Sequence, residues 1–216
     1  MKKYTHLIWD FNGTLINDVL TAVCSVNDTL KKCNLPLTNV EEYRRNMDMP
    51  ITKYYEKHFD MSCVSFDFLS QEYHRGFEKY HHLLTPALGA AETVKQLHNR
   101  GIRQCVVSSF EQNRLMQLLE EFAFLPYLDG VCGAADNDCV SKIERGCRWI
   151  KEQGIDPKTA LVVGDLSHDC ELAQALNAPC LLFSGGHQDK ERLQDCGAVV
   201  IDDLREVLDY EEKRER

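Results

Sequence analysis

Short apolar runs that stop abruptly at small or acidic residues recur along this chain of 216 residues. Each run has the length of a buried strand, and segments with the apolar period of an amphipathic helix separate them. Strands that alternate with helices predict an α/β fold in which a parallel, doubly wound sheet carries helices on both faces. The predicted strands are 6–9, 102–107, 160–163, 179–183 and 198–201, and the predicted helices include 89–100, 111–122 and 142–153.

The alternation is interrupted between residues 17 and 83 by a stretch rich in helix patterns and poor in strand patterns. We interpret it as a small α-helical cap domain inserted into a core of residues 1–16 and 84–216. A chain of this length with 44% hydrophobic residues suits one α/β core with such an accessory domain. The linkers Ile16–Asp18 and Leu84–Pro86 are expected to form a hinge. The predicted cap helices are Val19–Cys33, Val40–Met47, Thr52–Phe59 and Phe66–Leu83.

The charge and the apolar runs of the chain limit its partners. The formal net charge of −9 repels polyanions, which argues against nucleic acid and anionic membrane surfaces as partners. No apolar stretch reaches the length that spans a bilayer, and the N-terminal apolar run, residues 7–9, is too short for a signal peptide.

The ten cysteines are scattered, with no Cys-x-x-Cys pair. Without an export signal, this pattern favours reduced thiols in a cytoplasmic protein over a disulfide framework. The alternative is a zinc site formed by Cys132, Cys139 and Cys147, but their spacing matches no common ligand pattern.

Carboxylates stand at the ends of two predicted strands. Asp10 opens the hexapeptide Asp-Phe-Asn-Gly-Thr-Leu, and Asp165 opens the run Asp-Leu-Ser-His-Asp that ends at Asp169. Because ligands of parallel sheets bind beyond the carboxyl ends of the strands, we expect these carboxylates and Ser108 to converge there. Clustered oxygen ligands suit Mg²⁺, so the pattern predicts a Mg²⁺ site. The hexapeptide by itself is equally compatible with a plain turn closed by an Asx hydrogen bond.

Four motifs, in the expected order, make the chain resemble the haloacid dehalogenase superfamily, in particular the branch with a helical cap that includes phosphoglycolate phosphatases. The motifs are Asp10 to Leu15, Val106 to Ser109, Val140 to Lys142, and Gly164–Asp165 with Asp169. The first and fourth motifs together are strong evidence for the resemblance, whereas the second and the third are each weak evidence on their own. The resemblance covers nearly the whole chain and implies a phosphatase-type hydrolase that acts on a small phosphorylated substrate.

The resemblance implies roles for the acidic residues and for Asn12. Asp10 would be the nucleophile that forms an aspartyl-phosphate, which water then hydrolyses. Mg²⁺ would be bound by the Asp10 carboxylate, the Asn12 backbone carbonyl and the Asp165 carboxylate. Asp169 would bind the metal directly or orient a water bound to it.

The resemblance also implies a phosphate site. The Ser108 hydroxyl, the Ser109 backbone and Lys142 would bind the phosphate oxygens, and Lys142 would hold Asp10 ionised. Local sequence by itself favours plainer roles, with Ser108 as a helix N-cap and Lys142 as a solvated residue in the first turn of a helix.

Asn12 is the position at which the chain departs from the family pattern. Phosphatases of the family usually carry a second Asp there, which protonates the leaving oxygen and later deprotonates the attacking water. Asn cannot exchange a proton, and losing one general acid or base costs about 10²- to 10⁴-fold in rate. Three interpretations stay open: a good leaving group, as in an acyl or aryl phosphate; a substitute acid; or a phospho-ligand binding protein. The candidate substitutes are His168, His74, His81 and His82.

Other chemistries of the superfamily fit less well. Its dehalogenases work without a metal, which the acidic fourth motif argues against. Its phosphonatases form a Schiff base through a cap lysine, and nothing in the sequence singles out Lys53 or Lys57 for that role. Its sugar-phosphate mutases depend on the missing acid. Phosphate ester hydrolysis therefore ranks first, with Arg75 as a candidate contact for a second anionic group of the substrate.

Overall fold

A six-stranded parallel sheet forms the centre of the computed structural model, which describes residues 4–134 and 141–210. The described strands are His6–Trp9 (β1), Ile16–Asn17 (β2), Thr85–Pro86 (β3), Arg103–Glu111 (β4), Gly130–Ala134 (β5), Ala160–Gly164 (β6), Cys180–Phe183 (β7) and Val199–Ile201 (β8). The sheet has the order β5-β4-β1-β6-β7-β8, and each neighbouring pair is parallel.

Helices cover both faces of this sheet. The described α-helices are Val19–Lys32 (α1), Val40–Asn46 (α2), Thr52–Glu56 (α3), Phe66–Lys79 (α4), Ala90–Asn99 (α5), Gln112–Glu121 (α6), Lys142–Glu152 (α7), Ser167–Leu176 (α8) and Lys190–Asp195 (α9). Apolar residues of α5 and α6 share one hydrophobic cluster with the sheet, and those of α7 and α8 share another. The predicted α/β class with a doubly wound parallel sheet is confirmed. Among the described residues, no helix has both the length and the apolar content needed to cross a bilayer.

The central strand β1 sets the position of the site. Leu7 and Trp9 lie in the larger cluster and Ile8 in the other, because successive side chains of a strand point to opposite faces. β1 pairs with β4 on one side and with β6 on the other. The chain therefore reverses its direction of travel across the sheet beside β1, and the crevice at such a switch point is where α/β sheets bind ligands.

Helices α1 to α4 pack around a hydrophobic cluster of their own, which includes Val23, Tyr54 and Leu69. The chain enters and leaves this helical segment through the antiparallel pair β2 and β3. The division into a core of 1–16 and 84–216 and a cap of 17–83 stays a prediction, and both predicted boundaries fall at this two-stranded ribbon.

Several element bounds differ from the prediction. β4 continues through Ser108 and Ser109 to Glu111, beyond the predicted stop, with an irregularity in its pairing to β5. β5 was not predicted because its sequence, Gly-Val-Cys-Gly-Ala, lacks an apolar run. A side chain at Gly130 would lie 2.6 Å from the Trp149 ring, so the packing of that ring explains the glycine.

Two predicted cap helices are shorter than expected. The helix predicted over Thr52–Phe59 ends at Glu56, although single hydrogen-bonded turns continue to Phe59. The helix predicted over Phe66–Leu83 ends at Lys79, and a 3₁₀ helix, His81–Leu83, follows. The break falls where the Tyr80 hydroxyl donates to Asp28 on α1, at 3.0 Å, which ties this end of α4 to its neighbour.

Candidate active site

Three buried carboxylates meet at the carboxyl ends of β1 and β6. Asp10 follows β1, Asp165 follows β6, and Asp169 lies in the first turn of α8. One carboxylate oxygen of each lies within 4.8 Å of the others. Within the described part of the chain, they are the one group of three or more His, Cys, Asp or Glu side chains close enough to hold a metal ion together. Cys132 and Cys147 belong to no such group, and the predicted zinc candidate Cys139 lies outside the described residues.

Lys142 joins this cluster from the start of α7. Its ammonium donates to Asp10 Oδ1 at 2.5 Å and to Asp169 Oδ1 at 2.6 Å. Its side chain is only 4% exposed, so the interpretation as a solvated first-turn residue is wrong. Burial alone would lower the pKa of Lys142, but the two carboxylates outweigh burial and raise that pKa well above its usual range. Lys142 is therefore a fixed positive charge in the cluster.

One ammonium does not balance three buried carboxylates. Burial raises the pKa of Asp10 to about 6, with Asp169 adding to the effect, although Lys142 lowers it. Burial also raises the pKa of Asp165 to about 8, although His187 lowers it. Burial is the main cause of both shifts, and repulsion between the closely spaced carboxylates adds to them. The residues present thus fit a hard divalent cation such as Mg²⁺.

The Asp165 carboxylate is held by residues far away in the sequence. Thr14 Oγ1 donates to its Oδ1 at 2.9 Å, and the His187 backbone N–H donates to its Oδ2 at 2.7 Å. Gly13 lies directly against it: the residue has φ +76°, and a side chain there would come within 2.3 Å of Asp165 Oδ2. The glycine of the first motif therefore gives the turn its shape and leaves room for the carboxylate.

Asp169 orients its neighbours. Its Oδ2 accepts hydrogen bonds from the backbone N–H groups of Asp165, at 3.1 Å, and Leu166, at 3.0 Å. Its Oδ1 accepts from Lys142, at 2.6 Å. This carboxylate thus fixes both the turn that carries Asp165 and the ammonium that contacts Asp10.

The Asn12 amide is tied to a second buried acid. Its Nδ2 donates to Asp18 Oδ2 at 2.8 Å. Asp18 Oδ1 accepts from the Gly13 backbone N–H, at 2.8 Å, and lies 2.9 Å from His187 Nε2. The position that usually carries a second Asp is thus occupied by a hydrogen-bond donor, which is held in place by Asp18.

His187 is a site residue that the sequence analysis missed. It is buried, its Nδ1 lies 3.0 Å from the Tyr43 hydroxyl, and its Nε2 faces Asp18. Burial alone would lower the pKa of His187, but Asp18, with Asp165 and Asp10, raises it to about 9. Its position in the sequence could have identified it, because His187 follows Gly185 and Gly186 just beyond β7 and so lies at the same edge of the sheet as Asp10.

Ser108 and Ser109 lie in the last part of β4. Ser108 is buried; its hydroxyl accepts from the Phe110 N–H at 3.1 Å, and its carbonyl accepts from Arg145 Nη2 at 2.7 Å. The N-cap interpretation of Ser108 is wrong, because the cap of α6 is Glu111, whose carboxylate accepts from the backbone N–H groups of Asn113 and Arg114 in the first turn. Both serines line the cavity above Asp10.

A cavity of about 270 Å³ lies between these residues and the helices α1 to α4. Its wall includes Asp10, Asn12, Lys142 and His187, and two of the predicted histidines, His74 and His168. The other candidates lie elsewhere. His81 pairs with Glu121 at 3.0 Å, and Arg75 pairs with Glu72. Lys57 donates a hydrogen bond to the Asn46 carbonyl. His82 and Lys53 are absent from the described wall of the cavity.

Similarity to known proteins covers most of the chain. The sequence model of the haloacid dehalogenase-like hydrolases matches residues 7–183. A phosphoglycolate phosphatase of Pseudomonas savastanoi is 23% identical over 212 residues, which are 94% of this chain and 78% of the relative. A phosphoserine phosphatase of Methanocaldococcus jannaschii is 25% identical over 224 residues, 97% of this chain and 98% of the relative.

Solved structures support the same fold. The crystal structure of a predicted phosphatase from Clostridium acetobutylicum superposes with a TM-score of 0.80 at 20% identity, over 96% of this chain and 100% of that one. A haloacid dehalogenase-like hydrolase from Streptococcus pneumoniae gives a TM-score of 0.79 at 16% identity, over 97% and 99%. At such identities the likeness extends to the fold alone.

Proposed function

This chain belongs to the haloacid dehalogenase-like hydrolases, and from that membership we propose that it is a Mg²⁺-dependent phosphatase in which Asp10 is the nucleophile. The observation that carries the proposal is the buried cluster of three carboxylates and Lys142 at the switch point of the sheet. The similar phosphoglycolate and phosphoserine phosphatases support a small phosphorylated substrate.

In the proposed reaction the Asp10 carboxylate attacks phosphorus and forms an aspartyl-phosphate, which water then hydrolyses. Lys142 keeps Asp10 ionised and faces the incoming phosphate, and Ser108 and Ser109 bind the phosphate oxygens. Asp10, Asp165 and the Asn12 backbone carbonyl would hold Mg²⁺, which would supply the positive charge that the cluster lacks. Asp169 positions Lys142 and the Asp165 turn through its hydrogen bonds.

The Asn12 amide makes the proposed enzyme slow. It donates to Asp18 and has no proton to exchange, so the leaving oxygen receives no proton from position 12. The expected deficit is about 10²- to 10⁴-fold, which still leaves the nucleophile and the metal to act. The same observation is what favours the second candidate, a protein that binds phosphorylated ligands without turning them over.

Turnover separates these two candidates. We expect the purified chain to release inorganic phosphate slowly from phosphate esters when Mg²⁺ is present and to stop when a chelator is added. A malachite green assay with and without Mg²⁺ measures this release. Tight binding of phosphorylated ligands without Mg²⁺-dependent phosphate release would support the binding protein instead.

The pKa shifts of Asp10 and Asp165 predict that stability without metal falls as the pH rises. The pKa of both carboxyls is near 3.8 in the unfolded chain, whereas in the folded chain it is about 6 for Asp10 and about 8 for Asp165. Between pH 4 and pH 8 the folded state therefore binds more protons than the unfolded state. The free energy of unfolding therefore decreases as the pH rises from 4 to 8. Mg²⁺ binds the ionised carboxylates, so its stabilising effect should increase over the same window. Thermal unfolding at several pH values, with and without Mg²⁺, tests both trends.

Two variants serve as controls for this prediction. Asp165→Asn should flatten the decline with pH and remove most of the Mg²⁺ effect, since it loses a proposed direct ligand. Asp169→Asn should weaken Mg²⁺ binding less, by about 10- to 100-fold, as expected for a residue that orients ligands. Equal and small losses in both variants would argue against a metal at this strand end.

A further inference from the structure

The cavity wall opposite the carboxylates is aromatic and aliphatic. The helical segment between residues 19 and 79 contributes Tyr43, Met47, Ile51, Tyr54, Tyr55 and Phe66 to it. The tyrosine rings meet at steep angles, with centroids 5.4 Å apart for Tyr43 and Tyr54 and 6.0 Å apart for Tyr54 and Tyr55. Edge-to-face packing of this kind also accommodates a further ring.

The wall offers little to a second anionic group. Apart from histidines, Lys142 is the one cationic side chain that the described residues contribute to it, and Lys142 already contacts Asp10 and Asp169. His187 is paired with Asp18, and His168 with Glu171 at 2.9 Å, which leaves the exposed His74 on α4. A carboxylate of the kind carried by phosphoglycolate or phosphoserine would therefore have His74 as its one basic partner among the described wall residues outside the ion pairs.

The size of the cavity sets a limit on the substrate. An apolar protein cavity of about 150 Å³ is large enough to bind benzene. A cavity of about 270 Å³ leaves room for a phosphate group and one aromatic ring.

Asn12 also favours an aromatic phosphate, because of the leaving group rather than the cavity wall. Without an acid at position 12, the leaving group has to depart as an anion. A phenol ionises with a pKa of about 10, as the tyrosine side chain does, whereas water holds its proton to about 16, and alkyl alcohols resemble water. A phenolate is thus a far better leaving group than an alkoxide in this site.

We propose that the substrate is a phosphate monoester of a phenol, an inference that rests on the proposed function. An Asp10 oxygen forms a bond to phosphorus while the bond between phosphorus and the aryl oxygen breaks, and the electron pair leaves on the phenolate, which takes a proton from solvent. Water then attacks the aspartyl-phosphate, which restores the Asp10 carboxylate and releases inorganic phosphate and one proton. The aromatic ring occupies the apolar part of the cavity throughout.

Four phosphates separate the contribution of the ring from that of the leaving group. Phenyl phosphate has both features, benzyl phosphate has the ring with an alkyl leaving oxygen, acetyl phosphate has a good leaving group without a ring, and phosphoglycolate has neither. We expect phenyl phosphate to have the highest kcat/KM and benzyl phosphate to have a KM similar to that of phenyl phosphate with a lower kcat. We expect a higher KM for acetyl phosphate and the lowest kcat/KM for phosphoglycolate. The highest kcat/KM on phosphoglycolate would overturn the proposal while leaving the phosphatase function in place.

A binding experiment tests the substrate class without turnover. Benzylphosphonate and 3-phosphonopropionate are non-hydrolysable counterparts of phenyl phosphate and phosphoglycolate. Calorimetry in Mg²⁺ should give at least about tenfold tighter binding of benzylphosphonate, because its ring is removed from water. Equal or tighter binding of 3-phosphonopropionate would overturn the substrate class. Absence of Mg²⁺-dependent turnover of every phosphate would instead refute the proposed function.

Two phenylalanines on α4 provide a matched pair of variants. Phe66 is 42% exposed, lines the cavity and lies 6.1 Å from the Tyr55 ring, whereas Phe68 is 37% exposed and is absent from the described wall. Phe66→Ala should raise the KM for phenyl phosphate by about 3- to 10-fold relative to the KM for acetyl phosphate, which corresponds to the loss of one aromatic contact. Phe68→Ala should leave that ratio unchanged. A ratio that responds to neither variant, or to both alike, would contradict the assignment of this wall to an aromatic group.

Discussion

Asp10→Asn is expected to reduce kcat on any phosphate substrate by on the order of 10⁶-fold, the loss that follows removal of the nucleophile from another hydrolase. An amide oxygen cannot form the aspartyl-phosphate. Asp10 follows the central strand, contacts Lys142 and lines the cavity, and no other described carboxylate has all three features. Phosphate release under saturating Mg²⁺, followed over hours, sets a lower bound on this loss, because the parent itself is expected to be slow. Mass spectrometry of the acid-quenched parent enzyme should find the phosphoryl group on the peptide that contains Asp10.

The fold should survive this substitution, which makes the result interpretable. Asn has nearly the shape of Asp, and Lys142 keeps its contact with Asp169 at 2.6 Å. A matched control is Asp202→Asn, because Asp202 directly follows β8 at the same edge of the sheet but is 65% exposed and pairs with Lys190. We expect Asp202→Asn to retain full activity. Turnover by Asp10→Asn at the parental rate would rule out the proposed nucleophile.

The convergence of the acidic residues could be predicted because it depends on topology alone. Once strands and helices alternate, residues that follow two neighbouring parallel strands must lie at one edge of the sheet, as Asp10 and Asp165 do. The prediction needed no knowledge of side-chain packing. The α/β class and the parallel sheet followed from the same periodicity.

The burial of Lys142 and the role of His187 could not be predicted in this way. Lys142 contacts a residue 132 positions earlier in the chain, and His187 faces Asp18 across 169 positions. Local sequence predicts an exposed lysine in the first turn of a helix and gives no partner for a histidine beyond a pair of glycines. The packing of α7 against the sheet brings Lys142 to Asp10, and the turn after β7 brings His187 to Asp18. Asn12 and Asp18 are only six residues apart, so their contact could have been predicted from the local turn.

Asn12→Asp is expected to raise activity on alkyl phosphates such as benzyl phosphate by about 10²-fold, the low end of what a general acid supplies. The new carboxyl would take the place of an amide that donates to Asp18 Oδ2 at 2.8 Å. Two carboxyl oxygens can share that contact only if one of them carries a proton, and Asp18 is already paired with His187. The proton therefore resides on the new Asp, which is the form that protonates a leaving oxygen. Acetyl phosphate should gain much less in the first step, because its leaving group departs without a proton. Where hydrolysis of the aspartyl-phosphate limits turnover, both substrates should gain alike, so the comparison is made on kcat/KM.

The parent preparation needs one control before this comparison. Asn12 precedes Gly13, a sequence prone to deamidation, and a trace of the resulting aspartate could account for all the alkyl phosphatase activity of an aged sample. The Asn12 amide is held by Asp18, and Gly13 is fixed in a turn with φ +76°, both of which oppose ring closure. We therefore expect little conversion. Peptide mass spectrometry of fresh and aged protein measures it.

A double variant tests whether the contact with Asp18 is the reason that the new carboxyl at position 12 carries a proton. In Asn12→Asp with Asp18→Asn, the amide at position 18 can donate to an ionised carboxylate at position 12, so the new group loses the proton that made it an acid. The double variant should gain less than Asn12→Asp on benzyl phosphate, and its pH profile should fall at a lower pH, because its carboxyl ionises earlier. A single variant no faster than the parent, with its fold and Mg²⁺ binding intact, would mean that another group already transfers the proton or that this cavity does not accept alkyl phosphates. The parental rate on benzyl phosphate separates these outcomes, since a substitute acid gives clear turnover of that substrate, whereas a cavity closed to alkyl phosphates gives none while acetyl phosphate is still turned over.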